Sequence, residues 1–524
     1  GGGNLTFNGA GTAKVKSINT VADHTIIDSG TALDVPLYTI IPSAGTGIAS
    51  NIGVASGSNG ALTSSTGTLT IANGQFESGS LGLNGHVIYA AVRNFDGTTP
   101  LALVKNRNNS LALVGANTYS GGTTINAGRI DAQDATAFGT GKVTVNSGGQ
   151  AWLSKGVVYA NDFDLAGIGA AEAAATRGAL RFATATTSGT VTIALGGARI
   201  TAANGTLGRM NGNLTGSGAL EINSNDTNVS GTVALAGSGA GYTGTVTVRQ
   251  GRFNFDGALG GSVVVAPTVT DTVLGGGTSL AGSLTLDSTT KKAKYANASG
   301  ILAIAGNLTL TGSNPVVLTK PAPGTTSVTL MTYGGTLTGG AANLVLDNAA
   351  SYRGTPAFTA GAGVVGITGL DGQNLVWSGA TGAWNIETAA NWNNGTATFS
   401  FGDAVTFTDA GTTKNVTMVA GLEPYSVTVA NSAGNEYTFS SGGLAGSTGI
   451  TKSGTGTLTL GGTSTFTGAV QVTGGKLKIT TGTALGLNSG IAIAPGGQVD
   501  LNGQSPGGAA SIVTGGYTYT IRGD

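Results

Sequence analysis

Residues Leu111 to Ile130 read "LALVGANTYSGGTTINAGRI", and residues Leu458 to Leu477 read "LTLGGTSTFTGAVQVTGGKL". The two stretches align at a constant offset (458 − 111 = 347). Leu111, Leu113, Gly115, Tyr119, Gly121, Ile125, Gly128 and Ile130 fall on Leu458, Leu460, Gly462, Phe466, Gly468, Val472, Gly475 and Leu477. A looser copy, "LAGSGAGYTGTVTVRQGRF", runs from Leu235 to Phe253. It supplies Tyr242, Gly244, Val248, Gly251 and Phe253 at the matching places, followed by Ala258-Leu259-Gly260. Identity concentrates on glycines and on alternating apolar or aromatic positions, while the residues between them vary. Stacked coils require this, because each rung buries its apolar row on the rungs above and below it.

The rest of the chain is written in the same style. "GTLTIANG" from Gly67, "GSLTLDS" from Gly282, "GNLTLTG" from Gly306, "NLVLDN" from Asn343 and "GTLTLGG" from Gly456 are short alternations closed by Gly, Asn or Asp. Each predicts a strand of four or five residues with Leu, Ile or Val on one face and Thr, Ala or Asn on the other. The reading is therefore all-β: a parallel β-solenoid, or β-helix, of stacked short strands with Gly-rich turns. Strands lie ~4.8 Å apart, so rungs of roughly 20–25 residues predict a rod on the order of 100 Å long. Leu111, Leu113, Ile125, Leu458, Leu460 and Val472 are expected to point inward. The best helix candidate is the Ala-rich stretch "GIGAAEAAATRGALRF", residues 167–182, read as a short excursion. The organisation expected is a β-rich section over 1–109 and a solenoid segment over 110–376 with copies near 111–153 and 233–266. A second segment over 377–524 opens with a Trp-rich stretch and carries the copy near 450–504.

Composition narrows the function. Lys plus Arg is 24 and Asp plus Glu is 24, which leaves no basic excess for a nucleic-acid partner. Glycine is 93 of 524 residues, more than twice the usual ~7%. Hydrophobic residues at 40% supply enough burial to oppose disorder. No run approaches the ~18 apolar residues of a membrane helix, so no membrane insertion is expected. Cysteine is absent, so stability must come from repetition and hydrogen bonding rather than disulfides. The opening residue is Gly1 rather than Met, which reads as a processed piece of a longer product.

At this point the chain resembles a known family. "GTGTLTLGGTSTFTGAVQVTGGKLKI", residues 454–479, is similar to the autotransporter-associated β-strand repeat of bacterial passenger domains. The earlier copy supplies Asn117-Thr118-Tyr119 and the pair Gly121-Gly122 of that pattern. "ANASGILAIAGNLTL" (residues 296–310) and the Trp-bearing "LVWSGATGAWNIETAANWNNGT" (residues 375–396) also resemble stretches of such proteins. The resemblance covers most of residues 110–524. It implies a right-handed parallel β-helix at the bacterial cell surface or beyond it, serving adhesion, aggregation or length. Nothing near the C-terminal end supplies the ~10-residue alternating strands of an export barrel.

Candidate chemistry is sparse. His24 and His86 have no carboxylate cluster or serine nucleophile motif beside them, and both read as structural or surface residues. Asp131 with Asp134, and Asp162 with Asp164, are the closest acidic pairs; a glycosidic pair would need ~5–9 Å between carboxyls. Trp377, Trp384 and Trp392 are either a sugar-stacking platform or a hydrophobic plug. The plug is preferred, since Trp buries large area. The only other Trp is Trp152. Lys291, Lys292 and Lys294 read as a solvated loop, and the closing Arg522-Gly523-Asp524 as a chance match. The sequence assigns no catalytic, cofactor-binding or metal-ligating residue.

The expected function is a non-enzymatic extracellular structural or adhesive solenoid, a glycine-rich adhesin or filament. The alternative is a polysaccharide-binding or polysaccharide-cleaving β-helix. "YTYTIRGD" at the C-terminus and "GGGNLTFNGAGT" at the N-terminus read as consecutive solenoid strands without polar caps. The expected partner is therefore the chain itself, stacked head to tail. A cell-surface polysaccharide or host surface is a further expected partner.

Overall fold

A computed structural model describes residues 5–7, 11–16, 18–20, 25–27, 31–40, 51–52, 60–73, 86–172, 175–224, 226–297, 300–347, 349–487, 490–504 and 512–514. His24, the closing Arg522-Gly523-Asp524 and most of both terminal stretches lie outside the described residues. The chain divides into two compact units. One comprises residues 1–316, 331–344 and 361–363; the other comprises 317–330, 345–360 and 364–524.

In the first unit, alternation of short apolar and polar residues becomes parallel pairing between successive coils. One ladder stacks Ala102–Asn106, Thr123–Ile125, Val143–Val145 and Phe163–Gly167. Its register advances twenty residues per step (Leu103, Thr123, Val143, Phe163; for example 123 − 103). A second ladder stacks Ser110–Leu113, Gly128–Ala132, Gly149–Leu153 and Leu180–Phe182. Further along, three ladders run side by side. Thr245–Val248, Ser262–Val265, Leu284–Ser288 and Leu308–Gly312 make one. Gly251–Phe255, Thr272–Gly276 and Ala293–Asn297 make the next. Ala258–Leu259, Ser279–Leu280 and Leu302–Ile304 make the third.

The second unit uses the two-ladder plan. Asn374–Val376, Ala404–Thr408, Ser426–Ala430, Ile450–Ser453, Val470–Val472 and Ile491–Ile493 form one stack. Ala383–Trp384, Asn415–Met418, Tyr437–Ser441, Thr457–Leu460, Gly475–Ile479 and Gly497–Asp500 form the other. The fold is thus an all-β parallel solenoid, as expected.

The predicted core residues Leu111, Leu113, Ile125, Leu458, Leu460 and Val472 are all fully buried. Burying a side chain of this kind contributes roughly 1.5–3 kcal/mol, and every rung adds several. Outside the core, turn residues also stack. Asn146 Nδ2 donates to Asn126 Oδ1 at 2.7 Å, and Asn126 Nδ2 to Asn106 Oδ1 at 2.8 Å. This amide ladder carries the twenty-residue pitch onto the surface.

The helix expected over 167–182 does not form. Instead an antiparallel hairpin leaves the coil, with Ala171–Glu172 paired to Ala175–Thr176. Its neck is closed by Gly169 and Gly178, both in the left-handed region at φ +93° and +94°. A Cβ on Gly169 would lie 2.2 Å from the Gly178 carbonyl oxygen. Left-handed glycines interrupt a right-handed helix. Alanine's helix propensity, at most a few tenths of a kcal/mol per residue over ordinary residues, is outweighed by the polar contacts that hold the hairpin down. No helix among the described residues is long and apolar enough to cross a membrane.

Candidate functional site

The features that recur between copies are found inside the coil. Leu103, Val104 and Lys105 alternate along one strand, so Lys105 shares the inward row with Leu103. Its side chain is fully buried. Nζ donates to the carbonyls of Asn106 (2.9 Å), Arg107 (2.7 Å) and Ala127 (3.1 Å). Lys452 occupies the same place in the later copy (105 + 347 = 452) and is equally buried. It donates to the carbonyls of Ser453, Gly454 and Gly474. Burial brings the Lys105 amine down to about 7 and lowers that of Lys452 as well. Ala127 and Gly474 each precede a glycine, Gly128 and Gly475, at φ +74° and +65°. A Cβ on Gly128 would meet the Arg107 and Asn109 carbonyl oxygens at 2.5 and 2.6 Å. The lysine therefore satisfies carbonyls that the tight turn leaves pointing inward. The sequence carried a signal for this, a lysine in phase with leucines, and the sequence reading did not use it.

Outside the coil, the hairpin brings together charges far apart in sequence. Trp152 sits between Asp131 and Arg181 in the ladder register. Arg129 and Arg181 both lie over its ring, at 4.6 and 5.0 Å from the centroid. Glu172, from the hairpin, reaches Arg129 at 3.6 Å, Arg177 at 2.8 Å and Arg181 at 3.1 Å. Arg177 also pairs with Asp226 at 2.6 Å. Arg199 joins Glu221 and donates to Thr176, and Gln150 Nε2 donates to the Gly178 carbonyl. The Arg129, Arg181 and Glu172 side chains are each nine-tenths or more buried. Burial pulls both guanidiniums below the ordinary arginine value, and Glu172 opposes that shift. The indole ring attracts both guanidiniums where two like charges approach the same carboxylate. No linear motif announces this cluster, because its members come from several successive coils and an excursion.

The residues singled out from the sequence are placed as follows. Asp131 accepts from Ser154 Oγ and from Gln133 Nε2, the latter at 2.9 Å. Asp134 holds a turn by accepting from Thr136 N and Oγ1. Asp162 accepts from Thr190 N at 2.7 Å, and Asp164 pairs with Lys142 at 2.9 Å on the surface. His86 is buried within the strand His86–Ile88. Lys291 and Lys292 are exposed, whereas Lys294 lies half-buried in the strand Ala293–Asn297 near Asp271. Trp377, Trp384 and Trp392 are buried to within 1% and pack edge to face, with centroids 5.0 and 5.5 Å apart. Phe407 touches all three. Buried rings cannot stack on a sugar, so this is the plug. Among the described residues no group of three or more His, Cys, Asp or Glu is placed to hold a metal ion.

The profile of the passenger-associated-transport-repeat family matches the chain at residues 103–132, 230–254 and 450–479. These are the three copies, and the first and third matches begin just before Lys105 and Lys452. No curated protein and no solved structure matches the chain. The repeat and the solenoid together fit an autotransporter passenger domain, and the repeat implies a secreted or cell-surface bacterial protein.

Proposed function

We propose that the chain is a non-enzymatic structural and adhesive solenoid of the passenger type. Its copies stack head to tail into a surface fibre, or it forms part of a long tandem-repeat stalk. One observation carries this reading. The rungs at 103–132 and 450–479 keep an inward row of apolar and aromatic side chains and a buried lysine in the same bonds, while their outward residues differ. A chain that repeats its interior and lets its surface drift is built for length. Each parallel rung offers the next one a row of backbone donors and acceptors, so a further copy meets the same chemistry as the rung before it. Such a heterologous contact does not close and propagates as a filament.

Electron microscopy of the purified chain, combined with light scattering across a dilution series, tests the self-stacking. Fibres one coil thick, with an axial repeat equal to one chain, are expected. Dispersed particles of single-chain mass at all concentrations would exclude head-to-tail assembly and leave only the stalk.

A further inference from the structure

The charged cluster contains more hydrogen-bonding capacity than the protein uses. Arg181 Nε and Trp152 Nε1 are buried donors without a partner, and Gln150 Oε1 is a buried acceptor without one. These three belong to residues that touch the same hairpin or each other. Buried polar groups are almost always satisfied, so several unsatisfied ones in one place ask for a group from outside. The charges describe that group. Arg129, Arg177 and Arg181 converge on a single carboxylate, which here is Glu172 of the chain itself.

We propose that Arg129, Trp152 and Arg181 form a binding site for the carboxylate of an acidic sugar, and that Glu172 occupies it in the free protein. A uronate residue has what the site lacks. Its carboxylate replaces that of Glu172 between the guanidiniums, where a planar fork recognises a planar anion. Its ring and hydroxyl oxygens accept from Arg181 Nε and Trp152 Nε1, and a hydroxyl donates to Gln150 Oε1. Two guanidiniums already lie over the indole, so recognition is through charge and hydrogen bonds rather than ring stacking. Access is from the side of Arg177, whose side chain is 23% exposed. This inference adds a ligand to the solenoid and does not depend on fibre formation.

The probe is an oligogalacturonate, titrated into the full chain by isothermal calorimetry. Glu172→Gln keeps the shape of the internal ligand and removes its charge. It should bind oligogalacturonate about tenfold more tightly than the unsubstituted chain. Adding Arg181→Met should abolish that gain, and a neutral galactose oligomer should not bind. Equal affinity of the folded Glu172→Gln chain and the unsubstituted chain would overturn the proposal, as would equal binding of the neutral oligomer. If Glu172→Gln fails to fold, the unsubstituted chain decides. Saturating oligogalacturonate should shift the tryptophan emission, and Trp152→Phe should lose that shift. No shift in the unsubstituted chain would sink the idea.

Discussion

The copies at 103–132 and 450–479 close their inward turn with a lysine, and the copy around 230–254 closes the same turn without one. The ladder register makes the places equivalent: Lys105 opposes Ile125, Lys452 opposes Val472, and Ile222 opposes Val248. In the lysine copies Nζ reaches the carbonyls of Ala127 and Gly474. In the other copy the next residue, Asn223, turns inward at φ +58°. Its Nδ2 donates to the Gln250 carbonyl at 2.9 Å and to Gly231 at 3.0 Å, and its Oδ1 accepts from Ala202 N. Ala127, Gln250 and Gly474 all stand just before the left-handed glycines Gly128, Gly251 and Gly475. The carbonyl to be satisfied is thus fixed by the turn, and the donor is free to vary. An ammonium serves three acceptors but must be desolvated. A carboxamide serves fewer at no charge cost.

The largest effect is expected where the copies agree. Gly128→Ala, Gly251→Ala and Gly475→Ala each place a Cβ within about 2.6 Å of backbone carbonyl oxygens on a left-handed residue. Local opening of the affected rung, read by amide hydrogen exchange, should become easier by ~3 kcal/mol or more in all three. A much smaller cost at Gly251 alone would break the equivalence of the copies.

The next effect separates them. Lys105→Met strands the carbonyls of Asn106, Arg107 and Ala127, and should cost ~2–4 kcal/mol in local exchange. Asn223→Ala should cost less, ~1–3 kcal/mol, since no charge is involved. The pH dependence sharpens the contrast. The Lys105 amine is lowered from its ordinary 10.5 to about 7 in the folded chain. Between those values the unfolded chain holds a proton that the folded chain has released, so stability rises as pH climbs from about 7 to about 10.5. Each unit of separation contributes about 1.4 kcal/mol. The rung at 103–132 should therefore be protected more strongly at pH 9 than at pH 7 (in exchange rates corrected for intrinsic pH dependence). Lys105→Met should abolish this slope. The rung holding Asn223 should not show it, and a slope of equal size there would remove lysine as its cause.

The smallest effect concerns a paired exchange. Tyr119 Oη and Thr123 Oγ1 share a buried hydrogen bond of 2.5 Å. Phe466 and Val470 stand at the same offset in the later copy. Tyr119→Phe alone should cost ~1 kcal/mol, because it weakens the bonding of a buried Thr123 hydroxyl. Tyr119→Phe combined with Thr123→Val reproduces the later copy and should recover most of the loss. A double substitution that costs the sum of two singles would show that the copies are not interchangeable at this position.

Much of this molecule was legible as text. The alternation in "GTLTL" and "LALV", the glycines repeated at fixed offsets, and the aromatic at 119, 242 and 466 determine short strands, turns and an inward row. The reason is that a strand's side-chain period and a glycine's left-handed freedom are local properties. The inward phase of Lys105 with Leu103 is also in the text, but the carbonyls that its ammonium meets are set by its own turn and that of the next coil. Tertiary structure decided the rest. The stretch 167–182 has alanine enough for a helix, yet it folds as a hairpin because Glu172, Thr176 and Gly178 find partners on Arg129, Arg181, Arg199 and Gln150. Those partners are brought beneath it by coils that advance about twenty residues at a time, or 29 where the hairpin is inserted (181 − 152), so residues adjacent in space are separated in the chain by whole rungs. Side-chain alternation says which face a residue takes. Only the stacking of one rung on another says which residues share that face.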